Sequence, residues 1–225
     1  MYCKRRVFEI TALMFLLCVI MAVIDGVVMA NYFVKSAIKL VLFIVVPVIY
    51  SLIRGDISFR KLFLPDKKSI KLALCLCIPL YLLIVGGYVL LRDVFDFSGI
   101  TASLTGNIGV SKENFLYVAI YISFVNSLLE EFFFRGFGFL TLKKFLSKPL
   151  VYIISPLIFA MYHIAMMIGW FSVYLFALIL VGLFIGGFIF DWLDEKTGTL
   201  YPSWFVHMFA NFAINTVGFI LFGVL

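Results

Sequence analysis

Residues 115–142 read "FLYVAIYISFVNSLLEEFFFRGFGFLTL". The run is long enough to cross a hydrocarbon core, which needs about 20 residues of helix. Yet Glu130, Glu131 and Arg135 stand inside it. Ionisable groups at that depth cost several kcal/mol each and are by default functional. Two questions follow: whether the whole chain is built for a membrane, and what meets these charges.

Composition answers the first. Of 225 residues, 64% are hydrophobic, 18% aromatic and only 13% charged, against about a quarter charged in soluble domains. Comparable apolar runs cover Val7 to Met29, Phe33 to Ile53, Ile70 to Leu91, Leu150 to Trp170, Phe171 to Leu193 and Pro202 to Leu225. The expectation is all-α: a polytopic transmembrane helical bundle of about seven spans, with an eighth half-span in the second loop left open. Glu9 and Asp25 argue that the first run is an uncleaved span. Three of the four cysteines, Cys18, Cys75 and Cys77, fall inside spans, which excludes a disulfide scaffold.

The net charge of +6 does not point to nucleic acid. Lys4, Arg5 and Arg6 precede the first run, Arg54, Arg60, Lys61, Lys67, Lys68 and Lys71 crowd the second loop, and Lys143, Lys144 and Lys148 fill the fourth. By the positive-inside rule that side is cytoplasmic. The localisation read from this is the cell membrane, multi-pass, with the N-terminus cytoplasmic. The expected partners are the lipid bilayer and a peptide or membrane-protein substrate. No linker divides the chain, so residues 1–225 read as one membrane domain, with variable N-terminal spans over 1–91 and a core over 114–225. The stretch Arg92 to Asn114 reads as a polar loop, Asp191, Asp194 and Glu195 as an exposed acidic turn, and Gly182, Gly186 and Gly187 as a close-packing face.

Glu131 and Arg135, four apart, share a helical face and can pair. Glu130 is rotated by about 100° and needs another partner. By themselves these three fit an ion-pair lock as well as a catalytic group. Both histidines, His163 and His207, lie in other apolar runs, and Asn211 follows His207 by one turn. Counting from the basic side, Glu130 lies about 18 Å deep, His163 about 20 Å, and His207 and Asn211 about 8 and 14 Å. The four can meet around one buried site.

Glu130-Glu131-x-x-x-Arg135, Phe159-x-x-x-His163 and His207-x-x-x-Asn211, with Lys196 to Leu200 leading into the last helix, resemble the motif set of the CPBP family of intramembrane proteases. That family includes type II CAAX prenyl endopeptidases and bacteriocin-processing and self-immunity proteins. The motifs cover Glu130 to Asn211, and the first three spans carry none of them. The resemblance implies a CPBP-like catalytic core over 114–225 in which Glu130 is the general base for a water, His163 holds that water, His207 and Asn211 donate to the oxyanion, and Glu131 and Arg135 support Glu130. It implies no cofactor. A zinc site of Glu130, His163 and His207 stays open as the alternative, although no carboxylate partner for either histidine is evident. The function expected is intramembrane peptide processing. A non-catalytic immunity or scaffold protein and a proton-coupled transporter are the competing readings.

Overall fold

A computed structural model describes residues 2–28, 30–55, 57–64 and 67–225, with the side chains of Tyr2, Cys3, Lys67, Lys68, Ser69, Asn107 and Ile108 outside the described set. Met29, the expected end of the first span, also lies outside it. Among the described residues there is no strand. Seven helices are long and apolar enough to span a membrane: α1 (Lys4–Val28), α2 (Tyr32–Arg54), α3 (Ile70–Leu91), α5 (Phe115–Leu142), α6 (Lys148–Met167), α7 (Val173–Thr197) and α8 (Tyr201–Leu221). The chain is a multi-pass, all-α membrane bundle.

One loop differs from expectation, and another bears on the half-span left open. Arg92 to Asn114 contains a helix, α4 (Ser98–Ile108), begun where Asp96 Oδ1 accepts the Ser98 N–H at 2.8 Å. The described part of the second loop forms only a 3₁₀ turn, Arg60–Phe63. This turn is hooked to the start of α8 by the Leu200 N–H on the Leu62 carbonyl at 3.0 Å. No eighth half-span is present there among the described residues.

Charges at the helix ends are tied across the bundle. Glu9 of α1 meets Arg54 of α2 at 2.7 Å, and Asp25 meets Lys35 at the opposite end of the same pair at 3.2 Å. Glu195 of α7 receives Lys143, just past the end of α5, and Lys148 of α6. The outer surface is apolar, with Phe8, Leu52, Leu83 and Val173 among its exposed residues. Inside, α8 lies along α3 and α6 along α7, around a core of phenylalanines from α5.

Phe132, Phe133 and Phe134 are part of that core, buried in the bundle and turned away from lipid. Phe133 stacks on Phe43 of α2, centroids 4.1 Å apart. Of the three glycines on α7, only Gly187 packs closely. A Cβ there would lie 3.1 Å from Arg135 Nη2 and from Pro156 Cα, whereas Gly182 and Gly186 face open space.

Candidate active site

Backbone comes first. The fifth helix is not a regular α-helix: it has π geometry over Ile122–Asn126 and again over Glu131–Phe139. Wide π turns concentrate at functional sites because the inserted residue turns neighbouring side chains out of the α register. Glu130 sits in the short α segment between them, Ser127–Glu130. Ser127 does not cap that segment, since its hydroxyl donates back to the Ser123 carbonyl. Gly136 makes the second wide turn compatible with its neighbours, as a Cβ there would fall 2.8 Å from Leu62 Cδ1.

The two histidines converge on Glu130. His207 Nε2 lies 3.7 Å and His163 Nε2 3.9 Å from Glu130 Oε2. All three residues are buried. The expected meeting of α5, α6 and α8 therefore occurs. Each imidazole is held from behind: the His163 Nδ1–H donates to the Phe159 carbonyl at 2.8 Å and the His207 Nδ1–H to Glu131 Oε1 at 2.7 Å. A backbone carbonyl only accepts, which puts the His163 proton on Nδ1, and both Nε2 atoms face Glu130. Phe190 stacks on His207 at 5.3 Å and fixes the plane of its ring.

Glu131 consequently serves His207, not Glu130, and supplies the carboxylate partner that was not evident from the residues. The α7–α8 turn sets the depth of His207. Gly198 takes a left-handed φ of 73° and donates its N–H to the Asp194 carbonyl. The Asp194 carboxylate then accepts the Ser203 N–H at 3.3 Å and the Ser203 hydroxyl at 2.8 Å. The segment Lys196 to Leu200 is thus the hinge that lets α7 and α8 run back to back.

The supposed acidic turn is largely interior. Asp191 and Asp194 are fully buried, and only Glu195 stays near the surface. Asp191 faces Arg135, Oδ1 to Nε 3.4 Å, and accepts the Ser155 hydroxyl at 3.1 Å. Arg135 also lies 3.4 Å from Glu131 Oε1, between the rings of Phe159 and Phe190 at 4.2 and 5.0 Å. A chain Asp191–Arg135–Glu131–His207 therefore runs from α7 through α5 to α8. The exposed reading failed because a charge near a helix end in sequence can face inward when the partner is an arginine at depth.

Asn211 is buried one turn beyond His207, and its Nδ2 donates to the Ile122 carbonyl at 3.2 Å. That carbonyl belongs to the first π turn, where it also accepts the Ser127 N–H. No hydrogen bond joins Asn211 to Glu130 or either histidine among the described residues; one of its two amide protons remains uncommitted by this contact.

The unexpected member is Lys39 of α2. Its Nζ is 2.5 Å from Glu130 Oε1 and 2.5 Å from Asn126 Oδ1, and the Asn126 Nδ2 donates to Glu130 Oε1 at 3.0 Å. One signal in the sequence marks it: a lysine inside an apolar run, subject to the same depth argument as the carboxylates. Asn126, one turn before Glu130, is bonded to the same carboxylate.

For a metal, the test is the donor set. Glu130 Oε2 and the two Nε2 atoms face one another, but the Lys39 ammonium already stands on the same carboxylate, and a divalent ion there would be set against it. Among the described residues no group of three His, Cys, Asp or Glu side chains is arranged to hold a metal ion.

Comparison with known proteins adds one finding. Residues 112–213 match the family model described as type II CAAX prenyl endopeptidase Rce1-like, which agrees with the resemblance carried by the motifs and spans all of them from Glu130 to Asn211. Neither the curated proteins nor the solved structures give a match.

Proposed function

We propose that this chain, matched over residues 112–213 to the Rce1-like type II CAAX prenyl endopeptidases, hydrolyses a peptide bond of a membrane-associated protein or peptide with a water activated by Glu130. The family supports an intramembrane CAAX protease in general; the residue roles are our reading. The observation that carries it is the triangle of Glu130 Oε2 with two Nε2 atoms at 3.7 and 3.9 Å. Those separations are too long for direct hydrogen bonds and fit a water oxygen about 2.8 Å from each.

In this arrangement the water gives one proton to Glu130 Oε2 and keeps the other, which is hydrogen-bonded to the bare Nε2 of His163. Its oxygen adds to the scissile carbonyl. The oxyanion is met by the uncommitted amide proton of Asn211 and by His207, which donates from Nε2 when that nitrogen also carries a proton, its Nδ1–H remaining on Glu131. Collapse breaks the C–N bond as Glu130 returns its proton to the leaving amine. The hydroxyl proton of the new acid passes to the amine, so a carboxylate and an ammonium result, and the site is regenerated. The mechanism is metal-free, because Lys39 supplies the positive charge beside Glu130 that a zinc ion would bring.

The test is cleavage in proteoliposomes of a prenylated CAAX peptide and of a library of unmodified apolar peptides. Glu130→Gln is expected to lower kcat by about 10²- to 10⁴-fold, the usual contribution of general-base catalysis, with a cooperative unfolding transition above the assay temperature required for the comparison. Cleavage by Glu130→Gln at the wild-type rate would overturn the reading. The same variant separates the competing readings: a scaffold keeps its biological effect, and a proton-coupled transporter loses uptake driven by a pH gradient. Activity is expected to survive EDTA with no loss, whereas inactivation by chelator and recovery with zinc would contradict the metal-free mechanism.

We propose further that the basic loops, and with them the N-terminus, face the cytoplasm. The substrate class, bacteriocin-like precursor or prenylated protein, is decided by the same peptide panel.

A further inference from the structure

We infer that Lys39, a residue of the second span outside the family-matched segment, is the positioning residue of Glu130: its ammonium holds Oε1 so that Oε2 is the oxygen presented to the histidines. The inference rests on the function proposed above for its catalytic consequence and on geometry alone for the pairing.

Three observations carry it. The two carboxylate oxygens have different neighbours: Oε1 receives Lys39 Nζ at 2.5 Å and Asn126 Nδ2 at 3.0 Å, while Oε2 faces His163 and His207. Division of labour between the oxygens is what a base needs, since the one that takes a proton must be free of strong donors.

The triangle Lys39, Asn126 and Glu130 is also internally consistent in its donors. Lys39 donates to Asn126 Oδ1 at 2.5 Å, and the amide nitrogen donates onward to the carboxylate. Turning the amide over would set its NH₂ against an ammonium and its oxygen against a carboxylate. Only one orientation satisfies all three groups.

The ammonium is fixed in place as well. It stands over the rings of Tyr162 and Phe43 at 5.1 and 5.4 Å, and Phe43, one turn along α2, is the ring stacked on Phe133 of α5. The backbone that carries Lys39 is thereby seated on the helix that carries Glu130. A lysine fits this role better than an arginine, because a compact point charge with three donors fills the corner that a planar fork would overfill.

The experiment uses the full chain in proteoliposomes for activity and in detergent for thermal unfolding, with the variants Lys39→Met, Lys39→Arg, Glu130→Gln and the double variant Lys39→Met/Glu130→Gln. Lys39→Met is expected to lower kcat by about 10²-fold, on the scale of other preorganised charge contacts, while KM stays within about threefold because the residue touches no substrate in the proposed mechanism. Lys39→Arg is expected to recover part of the lost kcat. In unfolding, each single variant leaves a buried charge without its partner, so the double variant is expected to fall less in Tm than the two single changes added together. Wild-type kcat in Lys39→Met, or strictly additive Tm changes, would overturn the inference. A wild type that cleaves nothing would defeat the proposed function, and the Tm cycle would then still decide whether Lys39 holds Glu130.

Discussion

At the scale of single residues, the site is a set of paired charges drawn from four helices: Lys39 with Glu130, Asp191 with Arg135 and Glu131 with His207, while Glu131 and Arg135 pair within α5. Glu131 carries two of these relations, with His207 at 2.7 Å and Arg135 at 3.4 Å, and is fully buried. Glu131→Ala strips the acceptor from both, which leaves the buried guanidinium with Asp191 alone and an imidazole N–H without an acceptor. The expected cost is about 3–5 kcal/mol of stability, the range for breaking a buried pair, read as a fall in Tm in detergent. An unchanged Tm would show that the pair is not formed. Legibility at this scale was uneven. Glu130, His163 and His207 stood out because they are the rare ionisable groups in apolar runs, and their convergence followed from depth. Lys39 obeys the same logic but has no spacing relation to a partner 91 positions away, and only the tertiary packing of α2 on α5 reveals it. Asp191 was misjudged for the reverse reason: its neighbours Asp194 and Glu195 resemble a solvated turn, and the arginine that draws it inward lies on another helix.

At the scale of elements, two devices position the site. Wide π turns on either side of Glu130 were invisible in the sequence, since a run of Phe and Gly supports a regular helix as readily; what selects the wide turn is packing against Met14, Leu62 and Leu200, where Gly136 and Gly138 admit neighbours at contact distance. The second device is the close approach of α7 to α5 and α6 at Gly187. Gly187→Ala would press a methyl group onto Arg135 and the backbone of Pro156, and overpacking of that kind costs about 1–3 kcal/mol. Gly186→Ala, which meets open space, is expected to leave stability unchanged or slightly raised. Thermal unfolding of the two variants side by side checks the contrast; equal Tm values would refute the packing role assigned to Gly187. The length of the apolar runs gave the positions of the helices, but which of three glycines makes the contact depends on a helix rotation that an all-round apolar α7 does not encode.

At the scale of the whole molecule, the seven-helix membrane fold was legible because the bilayer imposes length and polarity on every span, and few other architectures satisfy a chain this apolar. The helix Ser98–Ile108 was not, since a short segment rich in Gly, Ser and Thr carries little periodicity. The division of labour between halves also emerges only here. The family-matched segment supplies Glu130, both histidines and Asn211, and the N-terminal spans supply the cation that steadies the carboxylate. The account stands on hydrolysis by a Glu130-activated water, and the most direct test is the mass spectrum of products formed in heavy-oxygen water by wild type and Glu130→Gln in the same proteoliposomes. One heavy oxygen in the new carboxyl terminus of the wild-type product, with no product from the folded variant, is the expected result. Equal labelled product from both proteins would contradict the account.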